Sequence, residues 1–150
     1  MPQPNPWQSY RQVATQTASP GQLVLMLFDG AIRFLERARL GFNFEDPLEF
    51  NLTINNNLLK AQAVISELNL SLNMEEGKDC AANFRRLYNY FDRRLQESNQ
   101  YKQEAGIVEV IGRLTVLRDA WAEMLQRAPA KNAETEPSLS IAGEVCDEWM

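Results

Sequence analysis

The chain has 150 residues, of which 45% are hydrophobic and 23% charged, proportions of one ordinary globular domain. Its net charge of -5 is uneven: residues 1–127 hold 14 Lys+Arg against 15 Asp+Glu, and residues 128–150 one Lys against five acids, so the acidity belongs to a tail. Neither part has the basic excess that phosphate-backbone binding requires, which excludes nucleic acid as an expected partner.

MPQPNPWQSYRQ has no basic start and no apolar stretch, so it does not read as a signal peptide, and no window is apolar enough for membrane insertion. Three prolines in its first six residues suggest an extended leader. Residues 1–18 are expected to form a short helical or covering segment, with Trp7, Tyr10 and Val13 able to lie over a groove. Ser19-Pro20-Gly21-Gln22 is a helix start: Ser19 can cap, Pro20 suits the first position and Gln22 completes a capping box. That helix is expected over about 20–40, with Gly41 as its stop. Asp46-Pro47-Leu48-Glu49 repeats the start signal for a helix over about 47–71. Along it Phe50, Ile54, Leu58, Ala61, Ile65, Leu68 and Leu72 recur three and four apart, the seam of a bundle helix.

Asn73 to Gly77 reads as a turn. A third helix over about 78–99 uses Cys80, Phe84, Leu87, Phe91 and Leu95. A fourth over about 105–126 uses Ile107, Val110 or Ile111, Leu114, Leu117, Trp121 and Met124 or Leu125. The strand-making alternation of β-branched residues is absent. The expected fold is therefore all-α, an antiparallel up-down four-helix bundle over residues 1–128. From Ala130 no period is sustained, and residues 129–150 read as an acidic flexible tail.

Histidine is absent, which removes the commonest general base and metal ligand and every Ser-His or Cys-His arrangement. No phosphate-binding glycine loop occurs, and Cys80 and Cys146 are too far apart in sequence for a Cys-x-x-Cys site. Cys80, on an apolar stripe, reads as a small buried hydrophobe. Asp29, Glu36, Asp92, Asp119 and Glu123 fall on polar faces. Arg85, Arg86, Arg93 and Arg94 form a basic strip, read either as a solvated face with partners such as Glu97 or as a dock for an acidic segment. No catalysis, cofactor or metal is expected.

The anomaly is surplus apolar surface. At about 100° per residue, Leu25, Phe28 and Ile32 widen the apolar arc of the first helix to about 200°, against the roughly 100° that a surface helix needs. Opposite the seam of the second helix, Leu48, Leu52, Leu59, Ala63 and Leu70 fall within about 60° of one another. Such faces are covered within the monomer, seal a homo-oligomer (a monomer or weak homodimer here), or form grooves for a largely helical guest segment. On the third reading Leu25, Phe28, Ile32, Leu52, Leu59 and Ala63 are the expected contacts.

Tyr10, Thr17-Ala18-Ser19-Pro20-Gly21-Gln22-Leu23 and Met26-Leu27-Phe28-Asp29-Gly30-Ala31 together resemble the N-terminal signature of the flagellin-specific export chaperones, the FliS family. Ala81-Ala82-Asn83-Phe84-Arg85-Arg86-Leu87-Tyr88-Asn89-Tyr90, with Arg94-Leu95 and Asn99, is similar to their second signature, and Leu117-Arg118 with Trp121 to their last helix. Phe28 stands where the family usually has tyrosine, and Asn89 where it has aspartate. The resemblance implies an antiparallel bundle in the bacterial cytoplasm that binds the C-terminal segment of flagellin. It would prevent premature polymerisation and deliver its cargo to the flagellar type III export apparatus, with export-gate or regulatory proteins as further partners. The alternatives are a homo-oligomeric helical-bundle interaction protein and a chaperone or regulator of another secreted protein.

Overall fold

The computed structural model describes residues 19–72 and 74–127, and for residues 74–76 only the backbone. Four helices follow in chain order: α1 (Pro20–Gly41), α2 (Pro47–Leu70), α3 (Met74–Tyr101) and α4 (Ala105–Arg127). The connectors are too short to let consecutive helices run parallel, so each reverses direction on the last. α1 packs on α2, α2 on α3, α3 on α4, and α4 returns to α1. The result is an up-down-up-down bundle closed into a ring, with no strand among the described residues.

The helix starts are those the sequence signals. The Ser19 hydroxyl accepts from the Gln22 N–H at 3.3 Å, and an Asp46 carboxylate oxygen accepts from the Glu49 N–H at 3.0 Å. Each satisfies one orphan donor of a first turn. The end of α1 differs from expectation. Gly41 lies inside the helix and is buried, and Phe42 caps it in a right-handed conformation. A Cβ on Gly41 would lie 2.9 Å from Ile54 Cγ1, so glycine serves the close approach of α1 to α2 there, not a left-handed turn. Three consecutive i→i+3 bonds from Phe42, Asn43 and Phe44 then tighten the exit.

The stretch read as a turn before the third helix is helical from Met74, broken by a non-helical Lys78 at φ 48°. α3 ends as a Schellman motif: Lys102 takes φ 51°, and the Gln103 N–H reaches back to the Ser98 carbonyl at 3.0 Å.

The expected seams form one core. Ile54, Leu58, Ala61, Ile65 and Leu68 of α2 meet Phe91 and Leu95 of α3 and Leu114 of α4, all buried. On α4 the alternatives resolve to Val110 and Met124, while Ile111 and Leu125 are half-buried beside them. Cys80, expected to be buried, is half-buried against the core.

Candidate functional site

Each helix of a closed ring touches two neighbours, so its apolar arc must face both. That explains the wide arc of α1, and it corrects the reading of Phe28 as an exposed contact. Phe28 is 1% exposed. Its ring lies 6.4 Å from that of Trp121 on α4, and the Trp121 indole N–H donates to the buried Gly21 carbonyl at 2.9 Å. Beside them the Arg118 guanidinium donates to Asp29 at 2.7 Å, so the flank of α1 is closed by α4. Leu25 and Ile32 are half-buried against the core.

The surplus on α2 stays on the surface. Leu48, Leu52, Leu59 and Leu70 are 65%, 48%, 54% and 73% exposed, among the largest values for apolar side chains here, and Ala63 is half-buried at the stripe's edge. From Leu48 to Leu70 the stripe runs about 33 Å at about 1.5 Å per residue. Of the six expected contacts, then, Leu52 and Leu59 lie together on one open face with Ala63 at its margin. Leu48 and Leu70 complete that face. Trp7, Tyr10 and Val13 of the expected covering segment, and the tail 129–150, lie outside the described residues.

The rim of this face toward α3 is a row of side-chain hydrogen bonds. The Asn99 amide donates to Asn55 at 2.9 Å, the Gln62 amide to Asp92 at 3.0 Å, and Arg85 to Asn69 at 3.0 Å. The α2 members fall at 55, 62 and 69 and their partners at 99, 92 and 85, seven apart on both helices, as antiparallel neighbours require. Asn69 also donates to Asn89 at 3.0 Å, so the uncharged residue at 89 joins the same row. On the α1 side, the Lys60 ammonium lies 5.8 Å from the Phe34 ring centroid.

The basic strip of α3 divides. Arg85 is spent on the rim, and Arg94 turns to α4, donating to Glu109 at 3.0 Å and to Glu97 at 3.3 Å. Arg86 and Arg93 stay exposed. Glu109 also accepts from the Tyr90 hydroxyl at 2.5 Å and from Arg113 at 3.2 Å. The Tyr90 and Arg94 hydrogen bonds hold the Glu109 carboxyl below its usual range. The same bond to Glu109 raises the Tyr90 hydroxyl. This cluster locks α3 to α4. Sequence reasoning missed it, because only folding brings positions 90, 94, 109 and 113 together.

Among the described residues no group of three or more His, Cys, Asp or Glu side chains could hold a metal ion, and no helix is long and apolar enough to cross a membrane. What the surface offers is a long leucine face with a fixed amide rim.

Comparison with known proteins points the same way. The family model described as "Flagellar protein FliS" matches residues 3–128. The flagellar secretion chaperone FliS of Bacillus subtilis is 37% identical over 122 residues, 81% of this chain and 87% of the relative. The protein of that name from Salmonella typhimurium is 36% identical over 125 residues, 80% of this chain and 90% of the relative. That from Escherichia coli is 32% identical over 123 residues, 79% and 88% of the two chains. With the match running through all four helices, the chain belongs to the FliS family of flagellar secretion chaperones.

Proposed function

We propose that this protein binds the C-terminal segment of flagellin in the bacterial cytoplasm, keeps it from polymerising and delivers it to the flagellar type III export apparatus. It acts by binding alone, without catalysis. The observation that carries the proposal is the open leucine face of α2, with Leu52 and Leu59 at its centre. Burying a leucine gains about 1.5–3 kcal/mol, and a contiguous apolar strip left in water marks an interaction surface. A segment that is unordered alone and carries apolar helical stripes can lay them on this face, where other flagellins cannot reach them. Ordering the guest costs several kcal/mol and keeps the affinity moderate for the area buried, which suits cargo that must be released. Export-gate or regulatory proteins are its further partners in delivery.

The test is titration calorimetry of the full chain with a C-terminal flagellin peptide. Leu59→Asp abolishes the binding heat while far-UV helical content stays at the parent level. Undiminished binding by that folded variant would remove α2 as the face that holds the guest.

A further inference from the structure

The charges of α1 are matched on its α4 side and unmatched on its α2 side. Toward α4, Asp29 accepts from Arg118 and Glu104 from Arg39. The hydrogen bond to Glu104 first, and the nearby Glu36 charge after it, raise the Arg39 guanidinium above its usual range. Toward α2, cations gather around one ring. Arg37 lies 5.9 Å and Lys60 5.8 Å from the Phe34 centroid, and Arg33 stands one turn before Arg37 on the same stripe. Arg33 and Arg37 are exposed and Lys60 is half-buried. None of them has a carboxylate within ion-pair distance among the described residues. On α2 itself, Glu67 and Glu49 are about 10 and 16 Å from Lys60 along the axis. Like charges one turn apart destabilise a helix, so an anionic cover relieves this flank. The basic strip of α3 has less to offer, because Arg86 and Arg93 share their exposed face with Asp79 and Glu97.

The chain carries the complementary charge. Residues 128–150 hold one lysine against five acids, and Glu144, Asp147 and Glu148 fall together there. Glu144 and Glu148 are four apart, the spacing of Arg33 and Arg37. The attachment point is close. The Trp121 N–H on the Gly21 carbonyl sets α4 beside the start of α1, and Arg127 lies about 9 Å past that level. Arg37 is about 24 Å up α1 from Gly21, so about 33 Å of axis separates it from Arg127. The chain from Arg127 to Glu144 spans up to about 56 Å when extended, slack enough to round α1.

We infer that the acidic segment 144–148 of this chain docks on the α1–α2 flank formed by Arg33, Arg37 and Lys60. Exposed ion pairs are individually weak. A tether of this kind supplies an effective concentration on the order of millimolar, however, so a contact of millimolar strength is about half occupied. The flank borders the leucine face on its α1 side, and the inference does not depend on what that face holds.

The test is NMR of the full 15N-labelled chain, with dithiothreitol to keep both thiols reduced. The amide order parameters of residues 144–148 fall by about a third between about 0.05 and about 0.5 M NaCl, as screening shortens the reach of the charges. Neutralising the segment by Glu144→Gln, Asp147→Asn and Glu148→Gln shifts the amides from Gly30 to Arg37 and that of Lys60, and leaves those around Arg86 and Arg93 in place. Arg33→Glu with Arg37→Glu frees the segment as salt does, and adding Glu144→Arg with Glu148→Arg returns it. Both arginines are exposed, so far-UV helical content stays at the parent level. Order parameters that ignore salt and charge reversal, or shifts that centre on α3, would overturn the inference. Shifts that grow with chain concentration from about 0.05 to about 0.5 mM would assign the flank to the tail of a second copy and overturn it too.

Discussion

Truncating Phe28 and truncating Leu59 separate the core from the proposed binding face. Phe28 is 1% exposed and packs on Trp121; removing its ring opens a cavity between α1 and α4, and buried Phe→Ala changes cost about 3–5 kcal/mol. Leu59 is 54% exposed, so only about half of the 1.5–3 kcal/mol available to a fully buried leucine is realised in the free protein, and Leu59→Ala forfeits less than about 1 kcal/mol. Against a total of about 5–15 kcal/mol, the first loss is roughly a fifth or more of the stability and the second a minor one. Urea unfolding followed by far-UV circular dichroism reads both. With a slope near 2 kcal/mol/M, Phe28→Ala lowers the midpoint by about 1.5–2.5 M and Leu59→Ala by less than about 0.5 M. Peptide binding reverses the order at temperatures where both variants are folded: Leu59→Ala weakens it and Phe28→Ala leaves it close to parent. Equal midpoint shifts, or a stable Phe28→Ala that had lost binding, would refute the assignment of these two side chains to opposite roles.

Three further outcomes follow from the packing. Because the Glu109 carboxyl titrates below its usual range in the folded state, its contribution is complete above the ordinary carboxylate pKa and is lost as pH falls through the folded value. Glu109→Gln therefore flattens the acid side of the stability–pH profile, measured by urea midpoints between about pH 3 and 7. A Cβ at Gly106 would collide with Ser98 Oγ and lie 3.2 Å from the Arg94 carbonyl, so Gly106→Ala costs about 1–3 kcal/mol by thermal unfolding. The Ser98 hydroxyl is buried with no hydrogen-bond partner among the described residues, so Ser98→Ala alone is neutral or stabilising and recovers part of the Gly106→Ala loss in the double variant. Trp121→Phe deprives the Gly21 carbonyl of its indole donor and costs about 1–3 kcal/mol in the same assay, without altering peptide contacts on α2.

The bundle was legible because its signals are local. Ser19-Pro20 and Asp46-Pro47 fix two helix starts within one turn, and the three–four spacing from Ile54 to Leu72 names the buried side of α2 without knowledge of its neighbours. Phe28 was misread because its exposure depends on how many helices border α1. A wheel shows the width of an arc but not that α4 returns to cover half of it. The exposure of Leu52 and Leu59 was legible because they lie opposite a complete seam. Gly41 looked like a stop signal since glycine often ends helices, yet here its missing side chain admits Ile54, a contact between distant positions. The rim pairs were invisible for the same reason: asparagines at 55 and 99 acquire meaning only once α2 and α3 are in register.

That register sets who bears the entropy of capture. Sliding α3 along α2 by a single turn would separate Asn99 from Asn55, Asp92 from Gln62 and Arg85 from Asn69 all at once, so the proposed docking wall has one alignment before any guest arrives. A pre-aligned host surrenders little conformational freedom when it is filled. The ordering cost falls almost wholly on the incoming segment, and that segment regains its disorder on leaving while the four helices stay as they were.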